Sequence, residues 1–306
     1  MKRLIRYPTI LIFSIVTLST AADDNYSKVA IKTQKLTDNI YMLTGAGGNM
    51  GLFVGDDAAF LIDDDLAPLS QKIRDAVAKI TSKPIKFVIN TSWYPDHVSG
   101  NESFARNGAM IVGHENVRFR MSVEQTVEFF GKKVPPAPAR ALPVVTFQSD
   151  VSFHSAGDEI LVFYLPNAHS DSDSFVHFRN SNVMHTGDVF YNKMYPFIDL
   201  ANQGSIDGTL RAVSNLFSLT DDKTQIIPGH GPLAKAADLE AYGRMLSQVR
   251  ERVRAMMKEG KTLKQIQAAK PTAEFDAVWG KGAVTPDKFV ELVWMDAKRF
   301  PDLPPE

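Results

Sequence analysis

Two blocks of short strand-forming runs, residues 29–62 and 144–184, constrain this chain more than any other feature. Each run is too short to bury itself, so it must join a sheet. In the first block Val29–Leu36, Ile40–Leu43, Gly51–Val54 and Ala58–Ile62 are separated by Asp-Asn, Gly-Gly and Gly-Asp-Asp turn signals. In the second, Val144–Phe147, Val151–His154, Glu159–Leu165, Ser174–Phe178 and Asn182–Met184 follow one another closely.

Between the blocks the apolar period changes. Leu69, Ile73, Val77 and Ile80 mark one face of a helix, with Pro68 near its start. Ile85–Ile89 reads as a buried strand that runs into the polar loop Asn90–Asn101. Helical pieces are expected at Glu102–Arg106 and Asn116–Phe130, with a strand at Met110–Val112 between them. Prolines exclude a regular helix or a central strand over Val134–Pro143, which reads as an ordered connector.

After the second block a helix through Leu210, Val213, Leu216 and Phe217 precedes the strand Gln225–Ile227. From about residue 235 the pattern is helical. Leu239, Tyr242, Leu246, Val249, Val253 and Met256 recur at helical spacing, with Gly260 as a stop. Shorter helices are expected at Leu263–Ala269 and Pro286–Lys298. This order predicts an α/β fold in which two mixed sheets lie face to face with helices outside. Residues 23–306 read as one domain, helical beyond about 235.

The N-terminus stands apart. Lys2, Arg3 and Arg6 precede the apolar run Thr9–Leu18, and Ser19-Thr-Ala-Ala22 supplies small residues for cleavage. Residues 1–22 therefore read as a secretory signal. The run is shorter than the roughly 20 residues of a spanning helix; a retained anchor is the competing reading. The expected location is periplasmic or secreted, without stable membrane association once the signal is removed. Over the whole chain 34 Lys+Arg nearly cancel 35 Asp+Glu, and no basic block offers a footprint for nucleic acid. The chain has no cysteine, so any metal must be held by nitrogen and oxygen.

Five polar segments fall at predicted strand ends: Gly45–Met50, Ser92–His97, His169–Asp173, His185–Asp188 and Pro228–Pro232. Loops at one rim of a sheet sandwich can converge. Imidazole and carboxylate together are the ligands that zinc and similar ions take. Asp96, His97, His169, Asp188 and His230 are accordingly expected to meet at one metal site. His114, His154, His177 and His185 are not expected to be ligands, although His185 could support Asp188. Met121, Phe129 and Phe130 read as core or as pocket lining.

These residues resemble the signature of the metallo-β-lactamase superfamily: His-x-His-x-Asp-His, a lone His, a bridging Asp and a final His. Ser92-Trp-Tyr94-Pro-Asp96-His97 occupies the first motif, followed by Ser99-Gly-Asn101; His169, Asp188 and His230 match the rest, in order, over roughly residues 30–235. The resemblance implies an αββα four-layer sandwich with the site at one edge. It also implies a second-metal set that is complete in Asp96, His97, Asp188 and His230. The first-metal set keeps only His169, because Ser92 and Tyr94 replace its two other histidines. A neutral hydroxyl is a poor ligand, and a phenol with a pKa of about 10 would have to ionise. One divalent ion is expected, with zinc preferred over manganese or iron, and no second ion.

The expected activity is hydrolysis of a small-molecule carbonyl-type substrate such as a lactam, lactone, ester or thioester. In that reading Asp96 belongs to the catalytic group. His169, freed from ligation, would serve as general base, and Tyr94 would donate to a developing oxyanion. The alternatives are a structural His169 bonded to Asp171 or Asp173, a Tyr94 that packs on Trp93, and an inactive metal- or ligand-binding protein on the same scaffold. A metal carrier is a further reading. Oligomeric state is not encoded in these motifs.

Overall fold

Successive side chains of a strand point to opposite faces, and in this protein both faces of the first sheet are apolar. The computed structural model describes residues 26–299; the secretory-signal reading of residues 1–22 lies outside the described residues. Strands β1 (Lys32–Lys35), β2 (Ile40–Thr44), β3 (Met50–Val54) and β4 (Ala59–Ile62) form an antiparallel meander. Helix α1 (Ser70–Ala78) leads to β5 (Ile85–Asn90), which lies parallel to β4. Two short helices, α2 (Pro95–Val98) and α3 (Asn101–Arg106), precede β6 (Met110–His114) and α4 (Glu115–Ser122). A separate hairpin, β7 (Gln125–Val127) with β8 (Lys132–Val134), comes before β9 (Val145–Phe147). The first sheet runs β1-β2-β3-β4-β5-β6-β9.

The second sheet holds β10 (Asp150–Ser155), β11 (Asp158–Tyr164), β12 (Ser174–Phe178), β13 (Val183–His185) and β14 (Gln225–Ile227), in that order. Its last pair is parallel and the others are antiparallel. Phe53, Phe60, Ile62, Ile89 and Val112 pack against Ile160, Val162, Val176, Phe178 and Ile227 between the sheets. Phe53 of one sheet stacks on Phe178 of the other, ring centroids 5.6 Å apart. The alternate residues of the first sheet, among them Leu52, Leu61, Val88 and Ile111, pack outward on Leu69, Ile73 and Val77 of the α1 region.

On the outer face of the second sheet, Phe175, Met184 and Ile226 meet α5 (Ile206–Ser218), α6 (Ala236–Lys258), α7 (Leu263–Ala268) and α9 (Pro286–Arg299), with α8 (Asp276–Trp279) beside them. The layers are therefore helix, sheet, sheet, helix: an α/β sandwich of the expected kind. Among the described residues no helix is long and apolar enough to cross a membrane.

Two expectations need correction. The helix expected over 116–130 ends at Ser122, where Val123 turns extended (φ −130°, ψ 158°). Gln125-Thr-Val127, two of its three residues β-branched, then pairs with Lys132-Lys-Val134, and Gly131 at φ +60° makes the turn. The strand expected from Val29 begins only at Lys32. The Lys72 ammonium donates to the carbonyls of Tyr26, Ser27 and Val29, which satisfies them without a sheet neighbour.

Candidate metal centre

The β4 strand ends in three aspartates, and these build the floor of the site. Asp63 and Asp65 adopt left-handed backbone (φ 58° each), a conformation that costs roughly 1–2 kcal/mol for a residue with a Cβ. The carboxylates offset that cost. Asp63 accepts from the Thr91 amide at 2.8 Å, the Thr91 hydroxyl at 2.6 Å and, at 2.8 Å, lies on His97 Nδ1. Asp65 accepts from the amides of Ala46, Gly47 and Leu66. Asp64 accepts from the Gly100 amide, and its own amide donates to the His97 carbonyl. One acidic run thus pins the β2–β3 loop, the β5–α2 loop and the start of α3.

Pinned in this way, the loops bring four of the five expected residues together. His97 Nε2 lies 3.1 Å from Asp188 Oδ1. His230 Nε2 lies 3.2 Å from the same oxygen and 3.3 Å from Asp96 Oδ2. Donors of Asp96, His97 and His230 fall within 4.8 Å of one another. Two donors bound tetrahedrally at the usual zinc distances stand about 3.3 Å apart, so the spacing fits an ion of that size. Asp63 fixes the tautomer: a proton on His97 Nδ1 leaves the Nε2 lone pair facing the cluster. His97 Nε2 and Asp188 Oδ1 are both buried and make no hydrogen bond. A cation is the partner that such orphaned donors call for.

Backbone shape serves the same end. A Cβ at Gly229 would stand 2.3 Å from Asp188 Oδ1, and one at Gly48 would stand 2.5 Å from His97 Cε1. Glycine lets both loops close on the ligands. His230 follows Gly229, and its ring stacks on Tyr191 at 4.9 Å.

The electrostatics favour positive charge at the centre. Burial works against a charged His230, but Asp188 and Asp96 outweigh it and raise its pKa to about 9. His97 is raised against burial by Asp188, Asp63 and Asp96. Burial alone would push Asp188 up; His97 and His230 instead hold it well below the usual carboxylate range. Two carboxylates, with their imidazoles neutral, carry the charge that balances a divalent ion.

The remaining expected residues sit differently. His169 is buried; its Nδ1 lies 3.3 Å from Asp173 Oδ1, and its Nε2 is 3.8 Å from Asp188 Oδ2. It stands outside the close-packed set, facing the other carboxylate oxygen. Asp171, its alternative partner, pairs with Arg120 instead. Tyr94 packs, with its ring tilted, against Trp93 and His169, at centroid distances of 4.4 and 4.6 Å, and donates its hydroxyl to Asp199 Oδ2 at 2.7 Å. Burial and the Asp199 charge lift that phenol well above its ordinary value. It is not poised to ionise, and an oxyanion role would require it to leave Asp199. Ser92 is buried with its hydroxyl unpartnered. His185 bonds the Asn49 carbonyl at 3.0 Å, and the Asn49 amide in turn holds the Pro228 and Gly231 carbonyls around His230.

A cavity of about 450 Å³ opens on Asp96, Asp188 and His230. Phe130 forms part of its wall and packs on Phe197 at 4.9 Å. Three contributors escaped the sequence reading. Asp63 was signalled by three consecutive aspartates directly after an apolar strand. Tyr191, which donates to Asp188 Oδ2 at 2.8 Å, and Asp199 carry no local signal.

A model described as the metallo-beta-lactamase superfamily matches residues 43–230. Among solved structures, a metallo-beta-lactamase from Pontibacter korlensis is similar at 17% identity and TM-score 0.59, over 71% of this chain and 99% of that one. The DIM-1 metallo-beta-lactamase is similar at 16% identity and TM-score 0.58, over 72% and 99%. The inverting sec-alkylsulfatase Pisa1 from Pseudomonas sp. is similar at 17% identity and TM-score 0.64, over 90% of this chain and 52% of that one. At these identities the likeness is one of fold.

Proposed function

The chain belongs to the metallo-β-lactamase superfamily, and on that premise we propose that it is a metal-dependent hydrolase working with one divalent ion, zinc before manganese or iron. Asp96, His97, Asp188 and His230 hold the ion. The substrate is a small molecule with a carbonyl-type bond, and the enzyme works in the periplasm or outside the cell.

The division of labour at the Asp188 carboxylate carries this reading. Oδ1 lies between two imidazoles and accepts no hydrogen bond. Oδ2 accepts from the Tyr191 hydroxyl and has His169 nearby. In the family pattern this residue bridges two ions. Here a hydroxyl proton takes the side of the missing one, and Tyr94, held protonated by Asp199, fills a position where the family places a ligand.

When bound, the ion supplies Lewis-acid polarisation of the acyl oxygen and of water. The protein's own groups do the rest. The Asp96 side chain is 34% exposed and borders the cavity. Its carboxyl, although pushed up by burial, is held below the usual range by His97 and His230. It stays anionic and can accept a proton from attacking water. His169 does not border the cavity; in this reading it supports Asp188 from behind instead of acting as the base.

The replacement of two histidines by Ser92 and Tyr94 favours one other reading, a binding protein that has abandoned catalysis. A hydrolysis screen of zinc-, manganese- and iron-loaded protein over lactones, esters, thioesters and lactams separates the two. The expected result is turnover on at least one class, lost with the ion in Asp188→Ala. Ion bound but no turnover on any class would favour the binding protein.

A further inference from the structure

The cavity beside the candidate metal centre is chemically lopsided. Tyr26, Val127, Phe130, Tyr195 and Phe197 give it apolar and aromatic walls. Among the described residues its charged lining consists of Asp96, Asp188, His230 and one cation, Lys132. Lys132 lies on β8 and, unlike its neighbour Lys133, which pairs with Glu124, makes no ion pair among the described residues. A divalent ion cancels Asp96 and Asp188, so Lys132 leaves the lining with one net positive charge. The hairpin that carries Lys132 is fixed in place: Phe129 and Phe130 at its turn pack on Phe197 at 5.3 and 4.9 Å, and the Lys288 ammonium sits 5.1 Å over the Phe129 ring.

We propose that the substrate of this site is a monoanionic amphiphile: an apolar, ring- or chain-bearing body seated between Phe130, Phe197 and Tyr195, with one anionic group reaching Lys132. This inference rests on the metal-hydrolase reading for the net charge, but its apolar half does not. Rings and alkyl groups bury well in such a cavity, and a few polar groups set orientation. A solvent-exposed ion pair adds only a modest, salt-screened preference.

The test is equilibrium binding of three probes to metal-loaded protein, with the ion counted in the same sample. They are naphthalene-2-sulfonate, its neutral N,N-dimethylsulfonamide, and methanesulfonate. Sulfonates are weak metal ligands, so the ion itself adds little. Naphthalene-2-sulfonate should bind about two- to fivefold more tightly than the neutral probe at low salt, and methanesulfonate should show no saturable binding. Lys132→Gln should erase the difference between the two ring probes, and Phe130→Ala should weaken both. Equal binding of both ring probes to the native protein, or a preference that survives Lys132→Gln, would overturn the anionic half. In metal-free protein the neutral probe should still bind and still lose affinity in Phe130→Ala. Its failure there would overturn the apolar half alone. Loss of the ion from a loaded sample is, by contrast, the failure of the metal reading.

Discussion

The Tyr191 hydroxyl donates to Asp188 Oδ2 at 2.8 Å, while Asp188 Oδ1 is left without a hydrogen bond beside two imidazoles. One carboxylate therefore has a satisfied side and an open side, and the open side faces the donors of His97 and His230. Removing the hydroxyl should expose a buried acceptor. Tyr191→Phe is expected to cost about 1–3 kcal/mol in chemical denaturation of the metal-free protein. An unchanged midpoint would show that the hydrogen bond contributes nothing.

Asp63 acts on the site through His97. Its carboxylate holds Nδ1 at 2.8 Å and is itself fixed by Thr91. Asp63→Asn should leave the fold intact, because the amide oxygen can still accept from Thr91. Metal affinity should fall by roughly 10- to 100-fold, the usual effect of losing a partner that orients a ligand. Competition titration with a chelator measures this; an unchanged affinity would remove Asp63 from the account.

Protonation gives a third expectation. In the metal-free protein His230 titrates at about 9, above its ordinary value near 6.5. A raised folded pKa contributes stability that is fully present below about 6.5 and is lost as pH rises through about 9. His97 and His169 shift in the same direction. The metal-free Tm should therefore fall between pH 6.5 and 9. The metal-loaded protein, in which the ligand imidazoles of His97 and His230 are already deprotonated, should show much less of that loss. A metal-free Tm that is flat or rising across this window would contradict the charge assignment.

Much of this architecture is legible in the sequence. Ser174–Phe178 and Gln225–Ile227 have the same bounds in pattern and in structure, because β-branched and aromatic runs between turn residues have few other outcomes. The helix expected through Phe130 fails for a non-local reason. Gln125–Val127 finds a strand partner seven residues on, and pairing overrides a helical spacing of apolar residues. At the site, His97, Asp188 and His230 are marked by their place in tight polar loops after strands. Tyr191 and Asp199 are not, because nothing near them in the chain betrays that a hydroxyl meets Asp188 or that a carboxylate receives Tyr94. His169 is marked as a candidate ligand, but its distance from the other donors depends on how β11 and β12 are joined, which spacing alone does not encode.

Counting the metal tests the central claim most directly. Elemental analysis of purified, metal-saturated protein should give one divalent ion per chain, lost in His230→Ala and raised to two in the Ser92→His/Tyr94→His double variant. Two ions per chain in the native protein, or one ion retained undiminished in His230→Ala, would contradict a single site built on Asp96, His97, Asp188 and His230.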